Sequence, residues 1–165
     1  MLLDRAGNIQ AEEWKHLAND EPAQDADSVT VSLKRWQAER ARLKGRNART
    51  GLRLPNDAQV ETLAADIGDF PMIVLDFPKF TDGRAYSQAR ILRSRLGYKG
   101  ELRAGGNVLR DQLLFMKRCG FDSFEVDGER AAAENWAAAF GEFDLAYQAP
   151  TGNGAAIPRR RLGSG

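Results

Sequence analysis

Three short stretches of this chain gather acidic, basic and amide side chains directly after an apolar run. Pro55, Asn56 and Asp57 follow residues 51–54. Asp76, Lys79, Thr81, Asp82, Gly83 and Arg84 follow residues 72–75, and Gly105, Gly106, Asn107, Arg110 and Asp111 follow residues 101–104, with Arg103 one residue inside. Two glycines ahead of a helix let a ligand approach the backbone closely. With Lys79, Arg84 and Arg110 nearby they would make an anion pocket for phosphate, sulfate, a carboxylate or a partner's acidic side chain. The same charges have a plainer use, in which Asp76, Asp82 and Asp111 neutralise Lys79, Arg84 and Arg110 while capping helices. Asp76, Asp111 and Tyr86 are also titratable groups that would serve acid and base catalysis if the fold desolvated one of them beside an electrophile. Phe77-Pro78-Lys79-Phe80 reads either as an aromatic partner surface or as a loop that folds Phe80 over a sheet edge.

Metal and cofactor chemistry has no comparable signature. His16 and Cys119 each stand alone, so no zinc, iron–sulfur or dithiol spacing is evident and no metal ligands are assigned. No Gly-x-Gly-x-x-Gly follows a strand and no Walker A loop is present, so no cofactor is evident either. A flavin at a flavodoxin-like sheet end would leave little trace of this kind.

The elements that must carry these residues alternate. Residues 72–75 read as a strand buried on both faces, closed by Asp76 and Pro78. Ala85, Ala89, Leu92 and Leu96 then recur at helical spacing, with Arg90, Arg93 and Arg95 off that stripe and Gly97 at the helix end. A strand over 101–104 leads to a helix carrying Leu109, Leu113 and Met116, with Asn107 as its expected N-cap and Gly120 as its stop, before a strand over 123–126. Leu96-Gly97-Tyr98-Lys99 and Cys119-Gly120-Phe121-Asp122 repeat one pattern: helix end, glycine, aromatic residue, polar residue, then strand. Upstream, 29–33 reads as a strand, 34–44 as a basic helix and 51–54 as a strand. A helix opened by Asp57 carries Val60, Leu63, Ala64 and Ile67 and closes at Gly68. Downstream, 129–140 reads as an alanine-rich helix offering Trp136 and Phe140. The expectation is an α/β domain of about five βα units over 29–148 with a mostly parallel sheet, since parallel crossovers need a helix between strands. A flavodoxin-like sheet and an open half-barrel both fit.

Residues 1–28 read as a short irregular extension, with a hairpin around Ala6-Gly7-Asn8, a helical turn over 12–17 and Trp14 packed back on the domain. Residues 149–165 read as a flexible basic tail. The charge balance, 24 basic against 23 acidic residues for a net +1, argues against general nucleic-acid binding. Charge is uneven along the chain, basic over 34–53 and acidic over 12–27, which implies either solvated helix faces or a docking patch. No membrane-length apolar run and no apolar leader segment are present, and one cysteine forms no internal disulfide, so a cytoplasmic protein with no membrane contact is expected.

The run from Phe77 to Val126, FPKFTDGRAYSQARILRSRLGYKGELRAGGNVLRDQLLFMKRCGFDSFEV, resembles the core of a bacterial family catalogued as domain of unknown function 934. The likeness spans about 29–126 and is strongest over 77–95 and 100–124; residues 52–57 also look like the family. What the resemblance implies is a pathway, because members of that family sit beside a haemoprotein sulfite or nitrite reductase and the reductase of activated sulfate. The expectation is an accessory protein of assimilatory sulfite reduction, with that haemoprotein as partner. An enzyme or sensor of a small oxyanion or sulfur metabolite at the strand ends is the alternative. The family's motif falls on Phe77, Lys79, Asp82, Gly83, Arg84, Tyr86, Ser87, Gln88 and Arg90, and further matches on Arg103, Leu109, Arg110, Asp111 and Gln112. With Asp76 and Asn107 from the strand ends, these are the expected ligand- or partner-binding residues.

Overall fold

The computed structural model of the protein describes residues 1–24, 26–133 and 136. Among them it has strands β1 (Leu2–Asp4), β2 (Ile9–Gln10), β3 (Lys15–His16), β4 (Val29–Ser32), β5 (Thr50–Leu54), β6 (Met72–Phe77), β7 (Glu101–Gly106) and β8 (Ser123–Glu125). Its α-helices are α1 (Leu33–Lys44), α2 (Arg84–Arg90), α3 (Leu113–Cys119) and α4 (Gly128–Ala133). The strands form one sheet in the order β2-β1-β8-β7-β6-β5-β4-β3. From β4 to β8 each strand pairs in parallel with the one before it. A flavodoxin-like sheet reverses its order at a switch point; this one does not, and it is a curled half-barrel of five βα units.

Alternation along the strands sorts the two faces. Leu52 and Leu54, Ile73, Leu75 and Phe77, Leu102 and Ala104, and Phe124 all turn to the helices and are fully buried with Trp36, Ala85, Leu92 and Met116. The intervening residues, including Arg53, Asp76, Arg103 and Glu125, belong to the opposite, concave face. Residues 72–75 are buried on both sides, as their apolar run requires.

Local chemistry explains most helix ends. The Ser32 hydroxyl accepts from Arg35 N at 3.2 Å to cap α1, which closes on Arg42 and Lys44. The expected stripe of α2 is buried at Ala85, Ala89 and Leu92, and beyond Arg90 the helix widens into a π turn, with Leu96 N bonded to Ile91 O at 3.0 Å. The repeated αβ turn is real. Gly97 and Gly120 have φ of 65° and 105°, and the aromatic residues after them, Tyr98 and Phe121, are buried before β7 and β8 begin.

Four local expectations are corrected. The helix expected after Asp57 is two 3-10 turns, Val60–Leu63 and Ile67–Asp69. Its β-branched Val60, Thr62 and Ile67 and its Asp66, Gly68 and Asp69 are weak helix formers, and the apolar stripe alone does not overcome them. Asn107 caps no helix: it lies in a bend, and α3 starts at Leu113 after a 3-10 turn at Arg110–Gln112. The helical turn expected over 12–17 is absent: Lys15–His16 form edge strand β3, with Lys15 N reaching Ser28 O at 3.0 Å and Leu17 N reaching Thr30 O at 2.9 Å. The N-terminal extension is therefore not irregular. Its hairpin, fastened by the Asp4 carboxylate to Ala6 N and Asn8 N at 2.8 Å each, extends the sheet beyond β8, and β3 extends it beyond β4. The helix expected over 129–140 is seen as α4 with Trp136 buried beyond it; Phe140 and the tail at 149–165 lie outside the described residues.

Gly120 carries a direct test of the repeated turn. A Cβ there would meet Arg93 Cγ at 2.7 Å in a backbone conformation that side chains resist. Gly120→Ala is expected to lower stability by about 2 kcal/mol, a fall of roughly 4–8 °C in melting temperature measurable by circular dichroism.

Candidate functional site

The concave face carries a ladder of charges laid out by register. Asp76 pairs across the sheet with Gly105, and Arg103 with Ser123. From β5, Arg53 reaches over Val74 and lies against Gly105. Its Nε and Nη2 donate to the two oxygens of Asp76 at 3.0 and 2.6 Å, and its Nη1 donates to Glu125 at 3.1 Å. Gly105 makes room for this: a Cβ there would come within 2.7 Å of Arg53 Nη2 and 2.8 Å of Glu125 Oε2. The close approach expected at this glycine is thus made by the chain's own guanidinium.

Arg103 forms the second node and is 3% exposed. It donates from Nη1 to both oxygens of Glu12 at 2.9 and 2.8 Å, from Nη2 to Glu101 at 3.0 Å and from Nε to Ser123 Oγ at 3.2 Å. Glu12 belongs to the segment that runs from the β1–β2 hairpin at one sheet edge to β3 at the other. That segment crosses the concave face, where Trp14 comes close to Gly51 and lies under the Arg49 guanidinium at 4.9 Å.

His16, on β3, points to the same face. Its Nδ1 bonds Thr30 Oγ1 at 3.1 Å. Partial loss of solvent holds its pKa below the ordinary value, and the field of Arg53 pushes the same way against the opposing carboxylates of Asp76 and Glu125. The imidazole is therefore neutral at neutral pH. Among the described residues no cluster of three His, Cys, Asp or Glu side chains is placed to hold a metal.

The remaining expected site residues lie on the outer rim at the strand ends. Asp82 and Arg84 pair with each other at 2.6 Å, and Arg84 holds the Asp82 carboxyl well below the usual carboxylate range. Gly83 sits at the start of α2 without capping it. Phe77 is core, edge-on to Tyr86 with centroids 5.0 Å apart. Tyr86 is half-buried and meets Phe115 at 4.8 Å, and burial pushes its hydroxyl up to about 12. Gln88 is buried and structural, donating to Pro55 O and Ala58 O at 2.9 Å each. Lys79, Ser87, Asn107 and Asp111 are exposed, and Arg110 is half-buried. Gln112 Nε2 donates to Phe80 O at 2.8 Å, tying the loop after β6 to the start of α3.

The expected residues thus divide. Asp76 and Arg103 join the concave ladder, while those from Lys79 to Ser87 and from Asn107 to Gln112 face the rim or support it. The charge pairing expected among Asp76, Asp82, Asp111, Lys79, Arg84 and Arg110 is seen for Asp82 with Arg84; Asp76 instead pairs with Arg53. The reading of strand ends missed Arg53, Glu125, Glu12, Glu101 and His16. A signal for Arg53 and Glu125 was present: each is a charged residue flanked by apolar ones in a strand, as in Leu52-Arg53-Leu54 and Phe124-Glu125-Val126.

Fold and site together define a (βα) half-barrel whose inner face is a closed network of ion pairs. The chain belongs to the family of bacterial proteins of unknown function DUF934, whose model matches residues 51–157. That match takes in Arg53, Asp76, Arg103 and Glu125 and leaves Glu12 and His16 outside it. No curated protein and no solved structure matches the chain.

His16 is the chain's single histidine, so its titration is read directly by proton NMR. The expected pKa is below 6.5. Because the unfolded chain then takes up the proton first, stability falls as pH drops through about 6.5. Arg53→Gln removes the cation and leaves the two carboxylates, so the His16 pKa is expected to rise relative to the unsubstituted protein; an unchanged value would place His16 outside the ladder's field.

Proposed function

We propose that this protein is an accessory factor of assimilatory sulfite reduction, acting in the cytoplasm on the route to cysteine and docking on a haemoprotein sulfite or nitrite reductase. The pathway is what the family resemblance implies. The geometry contributes a face, and one observation carries it: the inner charges are consumed by one another, whereas the rim at the strand ends leaves aromatic rings and cations exposed.

Four large apolar side chains among the described residues are exposed, Met1, Ile9, Phe80 and Phe115, and the last two lie on this rim at 49% and 45% exposure. Arg90 stands 5.6 Å from the centre of the Phe115 ring, and Tyr86 braces that ring from behind. Exposed Lys79 and Arg84 adjoin Phe80 in the loop that Gln112 fastens. Aromatic anchors ringed by arginine and lysine suit an acidic partner surface, where rings supply buried area and cations set orientation and salt dependence. No helix among the described residues is long and apolar enough to cross a membrane.

Lys79→Glu combined with Phe80→Ser tests the surface without touching the core. The doubly substituted protein is expected to keep its melting temperature and lose at least about 2 kcal/mol of affinity for the reductase, measured by retention of the haemoprotein on the tagged chain at low salt. Undiminished retention would remove this face as the docking site.

A further inference from the structure

A separate depression of about 500 Å³ opens under the N-terminal ends of β5 and β6, at the opposite end of the strands from the rim. Trp36, Lys44, Arg46, Thr50, Asp69 and Pro71 contribute to its wall, the Asp69 carboxylate being held by Lys44. Trp36 is 3% exposed, with its ring edge-on to Phe70 at 4.6 Å and Lys44 Nζ 5.9 Å from the ring centre. Its indole Nε1–H is fully buried and has no acceptor among the described residues.

Arg46 comes to the same wall from the loop after α1. Its Nη1 donates to Thr50 Oγ1 at 2.9 Å and its Nη2 to Gln24 O and Asp27 O at 2.6 and 2.8 Å, which fixes the guanidinium plane. Its Nε–H is buried and also lacks an acceptor. All three acceptors that Arg46 meets are neutral, so no carboxylate among the described residues answers its charge, whereas Lys44 is paired with Asp69 at 2.6 Å and Arg49 with Glu13 at 3.0 Å.

Indole and guanidinium nitrogens donate and never accept, so two such donors, each buried in a residue of this wall and without an acceptor among the described residues, call for a ligand that brings acceptors. The Arg46 guanidinium, which meets only neutral acceptors among the described residues, calls for that ligand to be negative. We propose that this depression is a binding site for a small oxyanion group, a carboxylate or a tetrahedral phosphate or sulfate, with Trp36 Nε1–H and Arg46 Nε–H as its buried donors and Lys44 and Arg49 at its rim. It is independent of the docking face, since no residue is shared between them.

The test is a titration of the full ¹⁵N-labelled chain with inorganic phosphate, sulfate and acetate at constant ionic strength set by chloride. Of the three tryptophans, only Trp36 is expected to show a saturable downfield shift of its indole N–H. A response to acetate alone identifies a carboxylate site, and a response to phosphate or sulfate a tetrahedral one. Trp36→Phe keeps an aromatic ring in place of the indole and removes the donor, and should weaken binding about tenfold by calorimetry, which is about 1.4 kcal/mol. If that variant fails to fold, Trp14→Phe and Trp136→Phe assign the remaining resonance and the titration of the unsubstituted chain decides. No saturable shift with any of the three anions at tens of millimolar would overturn the site, as would undiminished affinity in folded Trp36→Phe.

Discussion

The Arg53 guanidinium ties together strands that a flat sheet would keep apart. β5 and β8 are separated by β6 and β7, about 14 Å at the usual strand spacing. Arg53 nevertheless reaches Glu125 directly, and this is possible only because the sheet curls and because Gly105 leaves the path between them open. Curvature, the absence of a side chain at 105 and the Arg53–Asp76–Glu125 bridge are one constraint seen three ways. Polar groups on a half-covered face must be answered or remain in water. Here they are answered within the chain, by Arg53 for Asp76 and Glu125 and by Arg103 for Glu101 and Glu12.

That closure shapes what each face can offer. In (βα) barrels the inner face and its C-terminal mouth usually provide the site. In this half-barrel the mouth holds its own ion pairs, and the segment around Glu12 and Trp14 runs over the concave face from one sheet edge to the other. The outward rim around Phe80, Arg90 and Phe115 is left exposed.

Much of the fold was legible in the sequence because it rests on local alternation. Leu52, Leu54, Ile73 and Leu75 announce their strands, Ala85, Ala89 and Leu92 their helix, and Gly97 and Gly120 the turn used twice. Strand order was not legible, since right-handed crossovers build a half-barrel and a flavodoxin-like sheet from the same units. The concave ladder was hidden for a related reason. Arg53, Asp76, Arg103 and Glu125 occur singly in four different strands, and only the register places them together. β3 was misread because pairing with β4 at an open sheet edge, a long-range event, outweighs the helical leaning of residues 12–17. The rim was partly legible: Lys79, Arg84 and the Phe77–Phe80 run marked it, but Phe115 joins it only through the packing of α3 beside α2.

The most direct measurement is hydrogen–deuterium exchange of the full chain with and without the proposed partner, a haemoprotein sulfite or nitrite reductase. Docking through the rim predicts slowed exchange over residues 78–90 and 109–118 with the rest of the chain unchanged. Unaltered exchange in both segments at saturating reductase would contradict it.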